Sequence, residues 1–157
     1  QPEKVTTATQ VSENWEQLKL RGKGGNKRVL GGVPSGLPSI VKAYRIQEKA
    51  RNVGFEWDDA SGAWEKLLEE IAELKVELDN GNHDLAEAEL GDLLFATINV
   101  ARMNGLSPDN ALERTNQKFI RRFNYVEEGA IAAGQNLKDM TLEAMDALWN
   151  EAKSKGL

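Results

Sequence analysis

Trp64-Glu65-Lys66-Leu67-Leu68-Glu69-Glu70-Ile71-Ala72-Glu73-Leu74-Lys75-Val76-Glu77-Leu78, followed by Asp79-Asn80-Gly81-Asn82, is the passage on which the fold turns. Trp64, Leu67, Ile71, Leu74 and Leu78 recur at three- and four-residue spacing, the period of a helix that buries one face. The passage predicts a helix over 61–78, broken by the Asp-Asn-Gly-Asn tetrad. A second run follows at once and predicts a helix over 84–104, stopped by Gly105. Leu90, Leu93, Leu94, Phe95, Ala96, Ile98, Val100 and Ala101 make it apolar on almost every side, the pattern of a helix buried between others. A turn this short makes the pair an antiparallel hairpin.

The same periodicity continues outward, with no convincing strand alternation beyond Leu37. Pro38 suits a first turn and Gly54 a stop, predicting a helix near 38–53 that carries Val41, Tyr44 and Ala50 near one face. Ser107-Pro108 opens a long helix reaching Ala133 and ending at Gly134, and Thr141 caps a last helix running to about Lys153. The expected fold is an all-α helical bundle. Residues 1–36 differ. Gln1 to Gln10 is polar and Thr-rich, and Asn14 to Leu20 could form a short helix. Gly22 to Gly36 holds six glycines interleaved with Lys23, Lys27 and Arg28. That composition reads as a flexible interdomain linker, or as a basic flap over an anionic ligand. No Gly-Lys-Ser/Thr follows the glycines, so it is not a P-loop. The expected division is therefore a linker-like segment 1–36 and a helical domain 37–157.

Composition narrows the function classes. The 157 residues are 40% hydrophobic and 29% charged, as in a globular chain. With 25 acids against 20 bases and a net charge of −5, nucleic acid is not the expected partner. The absence of cysteine excludes disulfides, thiolate zinc sites and cysteine nucleophiles, and one histidine does not support a His-rich zinc site. No apolar run reaches the ~18 residues of a membrane span, and no signal-peptide pattern opens the chain, so a cytoplasmic protein is expected. The start at Gln1-Pro2, without Met, suggests a piece of something longer.

Chemistry is concentrated in the hairpin. Glu70, Glu73 and Glu77 fall within about a 60° arc beside the apolar stripe, with Glu69 turned further from the core. Like charges at this spacing repel, and a cation would relieve them. Glu89 and Asp92, three apart, sit inside the apolar second helix, where a carboxylate needs a salt-bridge partner or a metal. Each cluster lies about ten residues from the turn, so the hairpin sets them level and facing. Oxygen ligands alone favour Mg²⁺, with Mn²⁺ as a substitute. On the long helix Lys118 and Arg122 share a face with Arg121 beside them. They are either solvated or grip phosphates, while Phe119 and Phe123 are expected to face the core. Trp149, four residues before Lys153, either packs in the core or flanks a base or ribose. His83 in the turn reads as a surface residue.

These residues resemble the MazG family of nucleoside triphosphate pyrophosphohydrolases, whose signature is Glu-Glu-x-x-Glu and then Glu-x-x-Asp. Here it reads Glu69-Glu70-Ile71-Ala72-Glu73 and Glu89-Leu90-Gly91-Asp92. Ala43-Tyr44-Arg45-Ile46-Gln47-Glu48-Lys49, Val53-Gly54-Phe55, Gly91-Asp92-Leu93-Leu94-Phe95-Ala96 and Asn116-Gln117-Lys118-Phe119-Ile120-Arg121-Arg122-Phe123 also resemble the C-terminal half of tandem-domain members. The resemblance implies an all-α, Mg²⁺-dependent enzyme that converts an NTP and water to an NMP and diphosphate. Such an enzyme cleans nucleotide pools and works as a homodimer. It implies metal ligands Glu70, Glu73, Glu89 and Asp92, and a water-activating carboxylate at Glu69 or Glu70. Its nucleotide contacts map to Lys66, Glu69 and Glu70, to Asp92, to Lys118, Arg121 and Arg122, and to Trp149 and Lys153. The family's N-terminal half has no counterpart here, which points to an excised half or a shortened homologue. Two alternatives stand beside this reading. One is a phosphoribosyl-ATP or dCTP/dUTP pyrophosphatase of the same fold, although the flanking blocks favour MazG. The other is a non-catalytic helical oligomerisation or regulatory module.

Overall fold

The computed structural model describes Val11 and residues 28–157. The expected helix over 14–20 and residues 22–27 of the glycine-rich segment lie outside the described residues. Among the described residues there are five α-helices: α1 (Ser39–Asn52), α2 (Ala60–Asp79), α3 (His83–Met103), α4 (Pro108–Ala132) and α5 (Leu142–Ser154), with a 3₁₀ turn at Leu137–Asp139. The all-α expectation is met, and each helix boundary lies within one residue of its expected place. Pro38 sits one position earlier than expected, at the N-cap of α1. The chain divides into two compact units, the first ending at Pro108 and the second running Asp109–Leu157.

In the first unit α2 and α3 form the expected hairpin, and α1 packs on α3. Asp59 starts α2, its Oδ1 accepting from the Ser61 amide at 2.8 Å and satisfying one of the unbonded amides of the first turn. The turn between the helices is held by its own residues. Gly81 takes φ +71°, a conformation that side chains other than Asn or Asp resist, and Asn82 Nδ2 donates to Glu77 Oε2 at 2.8 Å.

The burial pattern corrects the expectation for both hairpin helices. Of the α2 stripe, Leu67 is buried and Leu74 half-buried, whereas Trp64, Ile71 and Leu78 are 52%, 47% and 61% exposed. In α3 Ala86, Ala96 and Ile98 are buried, but Leu90, Leu94 and Phe95 remain 44%, 55% and 40% exposed. The cause is geometric. One neighbouring helix covers a narrow seam, and the apolar bands of α2 and α3 are wider than the seams available to them.

Polar side chains close the far end of this unit. Arg102, whose side chain is 6% exposed, pairs through Nη1 and Nη2 with the two oxygens of Glu56, and its Nη2 also donates to Asn99 Oδ1 at 3.0 Å. Gln47, buried on α1, donates from Nε2 to the Phe95 carbonyl at 3.0 Å and offers Oε1 to Arg102 Nε at 3.4 Å. A buried guanidinium is tolerated here because a carboxylate and two amides meet it. Burial pushes the Glu56 carboxyl up, but the Arg102 hydrogen bonds and charge outweigh it, so its pKa lies below the ordinary value.

In the second unit Thr141 caps α5 as expected, its hydroxyl accepting from the Ala144 amide at 3.1 Å. Val126 and Ala130 of α4 and Ala152 of α5 are buried. The helices approach closely at Gly129, where a Cβ would come within 2.8 Å of Leu148 Cδ2. Tyr125 donates its hydroxyl to Glu151 Oε1 at 2.6 Å. Among the described residues no helix is long and apolar enough to cross a membrane.

Replacing Arg102 leaves Glu56 charged and partly buried without its partner. Arg102→Ala should lower the stability of the first unit by about 3 kcal/mol, read as a shift in the urea midpoint. A shift worth under about 0.5 kcal/mol would contradict the structural role assigned to the pair.

Candidate active site

The hairpin brings three of the expected carboxylates together. One ligand oxygen from each of Glu70, Glu73 and Glu89 lies within 4.8 Å of the others. Glu70 and Glu73 occupy consecutive turns of α2, and Glu89 comes from the opposing stretch of α3. Asp92, one turn beyond Glu89, is exposed and does not join this trio. Glu69 is also exposed, and Glu77 is engaged by Asn82 at the turn. His83 opens α3 with its side chain 91% exposed.

Among the described residues a single cation answers the three charges. Lys66 Nζ lies 3.1 Å from Glu70 Oε1 and 3.4 Å from Glu69 Oε1, and its hydrogen bond to Glu70 raises its pKa. Burial pushes Glu70 up, but Lys66 and the hydrogen bonds around it prevail, so its carboxyl stays below the ordinary range. Burial and the charge on Glu70 push Glu73 up. Among the described residues Glu89 has no cation of its own. Burial, then hydrogen bonding to Glu70 and Glu73, pushes it up to about 7. Glu70 Oε2 and Glu89 Oε2 are buried and lack any hydrogen-bond partner among the described residues. An unpartnered buried carboxylate oxygen is costly, and two in one cluster fit a divalent cation. An all-oxygen donor set suits a hard ion such as Mg²⁺ or Mn²⁺.

The basic and aromatic candidates lie in the second unit. The Arg122 guanidinium rests 5.6 Å from the centre of the Trp149 ring, and its Nε donates to the Leu157 carbonyl at 2.8 Å. Arg122 is therefore half-buried on an aromatic face. Phe119 and Phe123, expected in the core, are 55% and 38% exposed. Their rings stack 6.0 Å apart, and Phe119 meets Trp149 at 5.1 Å. The reason is that α5 covers only one flank of α4, and residues 111–120 are exposed throughout. Lys118, Arg121 and Lys153 are exposed; Lys118 and Arg121 line an open groove with Arg114.

Sequence reasoning missed one feature of the first unit. A cavity of about 470 Å³ is walled by Phe55, Trp57 and Phe95, with Asn99 and the Arg102–Glu56 pair at its polar side. Its signal was present, since Asn99 and Arg102 interrupt an otherwise apolar helix.

The raised Glu89 carboxyl has a signed consequence. A group protonated more readily in the fold than in the unfolded chain stabilises the fold at low pH, and that stabilisation is lost as pH rises from about 4.5 to about 7. Glu70, shifted the opposite way, acts below that window. Without metal, Glu89→Gln should match the parent's melting temperature near pH 5 and exceed it at pH 8. Saturating Mg²⁺ should reverse the order at pH 8, because the variant lacks a ligand. Identical melting curves at pH 8, with and without Mg²⁺, would exclude a strained metal-binding trio.

Comparison with known proteins agrees with this geometry. Residues 61–127 match the MazG nucleotide pyrophosphohydrolase domain, a span that contains both carboxylate clusters and the Lys118–Arg122 face. The chain is 37% identical over 150 residues to the Nucleoside triphosphate pyrophosphohydrolase of Escherichia coli K12, covering 93% of this chain and 57% of that protein. It is 37% identical over 142 residues to the Nucleoside triphosphate pyrophosphohydrolase/pyrophosphatase MazG of Thermotoga maritima, covering 90% of this chain and 54% of that one. It is 47% identical over 152 residues to the Bacillus subtilis protein YabN, covering 96% of this chain and 31% of YabN. The chain thus spans a little over half the length of the first two relatives and about a third of the third. The domain match, the two carboxylate motifs and the all-α hairpin that joins them agree: this chain belongs to the MazG family.

Proposed function

We propose that this chain hydrolyses nucleoside triphosphates to a nucleoside monophosphate and diphosphate, using Mg²⁺ held by Glu70, Glu73, Glu89 and Asp92. The observation that carries the reading is the convergence of Glu70, Glu73 and Glu89 within 4.8 Å, with two buried oxygens unpartnered. The names of the Escherichia coli and Thermotoga maritima relatives support the substrate class. The catalytic region is residues 37–157, and the role in cells is removal of unwanted triphosphates.

Divalent ions held by Glu70, Glu73, Glu89 and Asp92 would supply a lowered pKa for the attacking water and neutralise charge on the phosphates. The chain's own residues do the rest. Water attacks the α-phosphorus, the bond to the bridging oxygen breaks, and diphosphate leaves in line. Glu70, Glu73 and Glu89 form a fixed array of negative charge that needs no rearrangement to receive cations. Glu69, beside the trio and outside it, accepts the proton from water. Lys66 balances Glu69 and Glu70 in the free protein. Lys118, Arg121 and Arg122 bind substrate phosphates, with Trp149 holding the Arg122 plane and Lys153 adding positive charge. The chain acts as a homodimer. The exposed Trp64, Leu68 and Ile71 of α2 and Leu94 of α3 support that state, because single chains rarely leave so much apolar helix uncovered.

Glu73→Gln should abolish diphosphate release while the helical circular-dichroism signal persists; near-normal turnover would sink the metal assignment. Arg122→Ala should lower turnover about ten- to a hundredfold, the worth of one charge-assisted contact. Arg122→Lys should restore it only in part, because an ammonium makes no planar two-point contact. Full activity in Arg122→Ala would remove the residue from the phosphate site. Sedimentation should show a dimer at micromolar concentration, and a folded monomer there would contradict the assembly.

A further inference from the structure

Arg122 is held at two points, and one of them comes from a turn that the proposed reaction leaves unused. We propose that the left-handed cap at Gly156 is a positioning element for Arg122: it brings the Leu157 carbonyl onto the guanidinium Nε and so aims the two Nη groups at a substrate phosphate. This inference rests on the phosphate role proposed above for Arg122. It adds the part of the chain that sets the direction of that residue's hydrogen bonds.

The local sequence explains the cap. α5 ends at Ser154, and Gly156 takes φ +81°, which turns the chain back on the helix. The Gly156 amide then donates to the Lys153 carbonyl at 3.1 Å, and the Leu157 amide donates to the Ala152 carbonyl at 3.1 Å. These bonds satisfy two carbonyls that the last turn leaves open. Ala152 is fully buried, so the returning strand of chain is anchored to a fixed point of α5. The Leu157 carbonyl lies past the helix and serves none of the cap's own bonds. It accepts instead from Arg122 Nε on α4 at 2.8 Å.

Geometry gives that bond a directional consequence. The Arg122 guanidinium lies 5.6 Å from the centre of the Trp149 ring, and Trp149 is itself met by Phe119 at 5.1 Å. An aromatic face limits the tilt of the guanidinium plane but leaves it free to turn within that plane. A hydrogen bond at Nε removes the remaining rotation. With tilt and rotation both set, Nη1 and Nη2 have no partner among the described residues. They form the end of the guanidinium that can meet two phosphate oxygens at once. Lys118 and Arg121 on the same helix are exposed and make no hydrogen bond or ion pair among the described residues. Of these three cations, Arg122 is the one whose direction is built into the fold.

The test varies the backbone preference at residue 156 and reads phosphate affinity. Titration calorimetry with Mg²⁺ present would measure inorganic tripolyphosphate on the parent, Gly156→Asn, Gly156→Ala, Gly156→Val and Arg122→Ala. Asn tolerates the left-handed conformation, Ala resists it, and a β-branched Val is all but excluded from it. Affinity should stay within twofold of the parent for Gly156→Asn and fall about three- to tenfold for Gly156→Val, with Gly156→Ala between them. That range is the effect of losing the prior ordering of one long side chain. Adding Gly156→Val to Arg122→Ala should change affinity less than twofold, because the cap acts through that side chain. Helical circular dichroism of each variant checks that α5 persists, and if Gly156→Val shortens it, Gly156→Asn against Gly156→Ala decides. Affinity within twofold of the parent in both Gly156→Ala and Gly156→Val would overturn the proposal. Equal losses in Gly156→Asn and Gly156→Val would overturn it as well, and so would an undiminished Gly156→Val effect in the Arg122→Ala background. Parent-like binding by Arg122→Ala would instead refute the phosphate role of Arg122, the reading on which this one rests.

Discussion

Repulsion between carboxylates that the backbone forces together is the constraint around which this molecule is arranged. The three-residue turn Asn80-Gly81-Asn82 fixes the register of α2 against α3. Helical spacing then leaves Glu70, Glu73 and Glu89 no route apart. One neighbour, Lys66, compensates for Glu70; proton uptake at Glu89 compensates for much of the rest. Packing of the hairpin holds the cluster against its own charge, so the fold supplies a site that a cation can enter without reorganisation.

Charge is handled differently at the two ends of the first unit. At the carboxylates the negative groups exceed the positive ones, and two buried oxygens stay open. At the Arg102 end the guanidinium is met by Glu56, Gln47 and Asn99, and the network is closed. An open cluster leaves negative charge to be answered, and a closed one fixes backbone. The closed one holds the Phe55–Trp57 loop still beside an apolar cavity, so a single helix, α3, carries both an ionic and an aromatic surface.

Much of this was legible in the residues. The stripe from Leu67 to Leu74, the break at Asp79–Asn82 and the stops at Gly54, Gly105 and Gly134 are local signals, and the helices follow them within one residue. The pairing of Glu70 and Glu73 with Glu89 was legible because a short turn leaves one register. Burial was not. Trp64, Ile71 and Phe119 carry the period of a core face, yet periodicity says which side of a helix is apolar and not whether another helix covers it. The cavity was legible only in part, through Asn99 and Arg102 on α3, for a related reason. Phe55 and Trp57 lie outside any periodic segment, and the α3 side of the cavity comes from residues about forty positions further along the chain.

Sequence alone determined the helices, their order, the hairpin register and the chemical identity of the acidic cluster, because each depends on spacings of a few residues. Only the tertiary structure decided that Asp92 stands outside the trio, how Lys66 divides itself between Glu69 and Glu70, and where Arg122 lies against Trp149. It alone showed that Arg102 locks an aromatic loop around a cavity. Those outcomes depend on distances between elements remote in the chain. A shift of one ångström there makes or breaks a contact and leaves no trace in local periodicity.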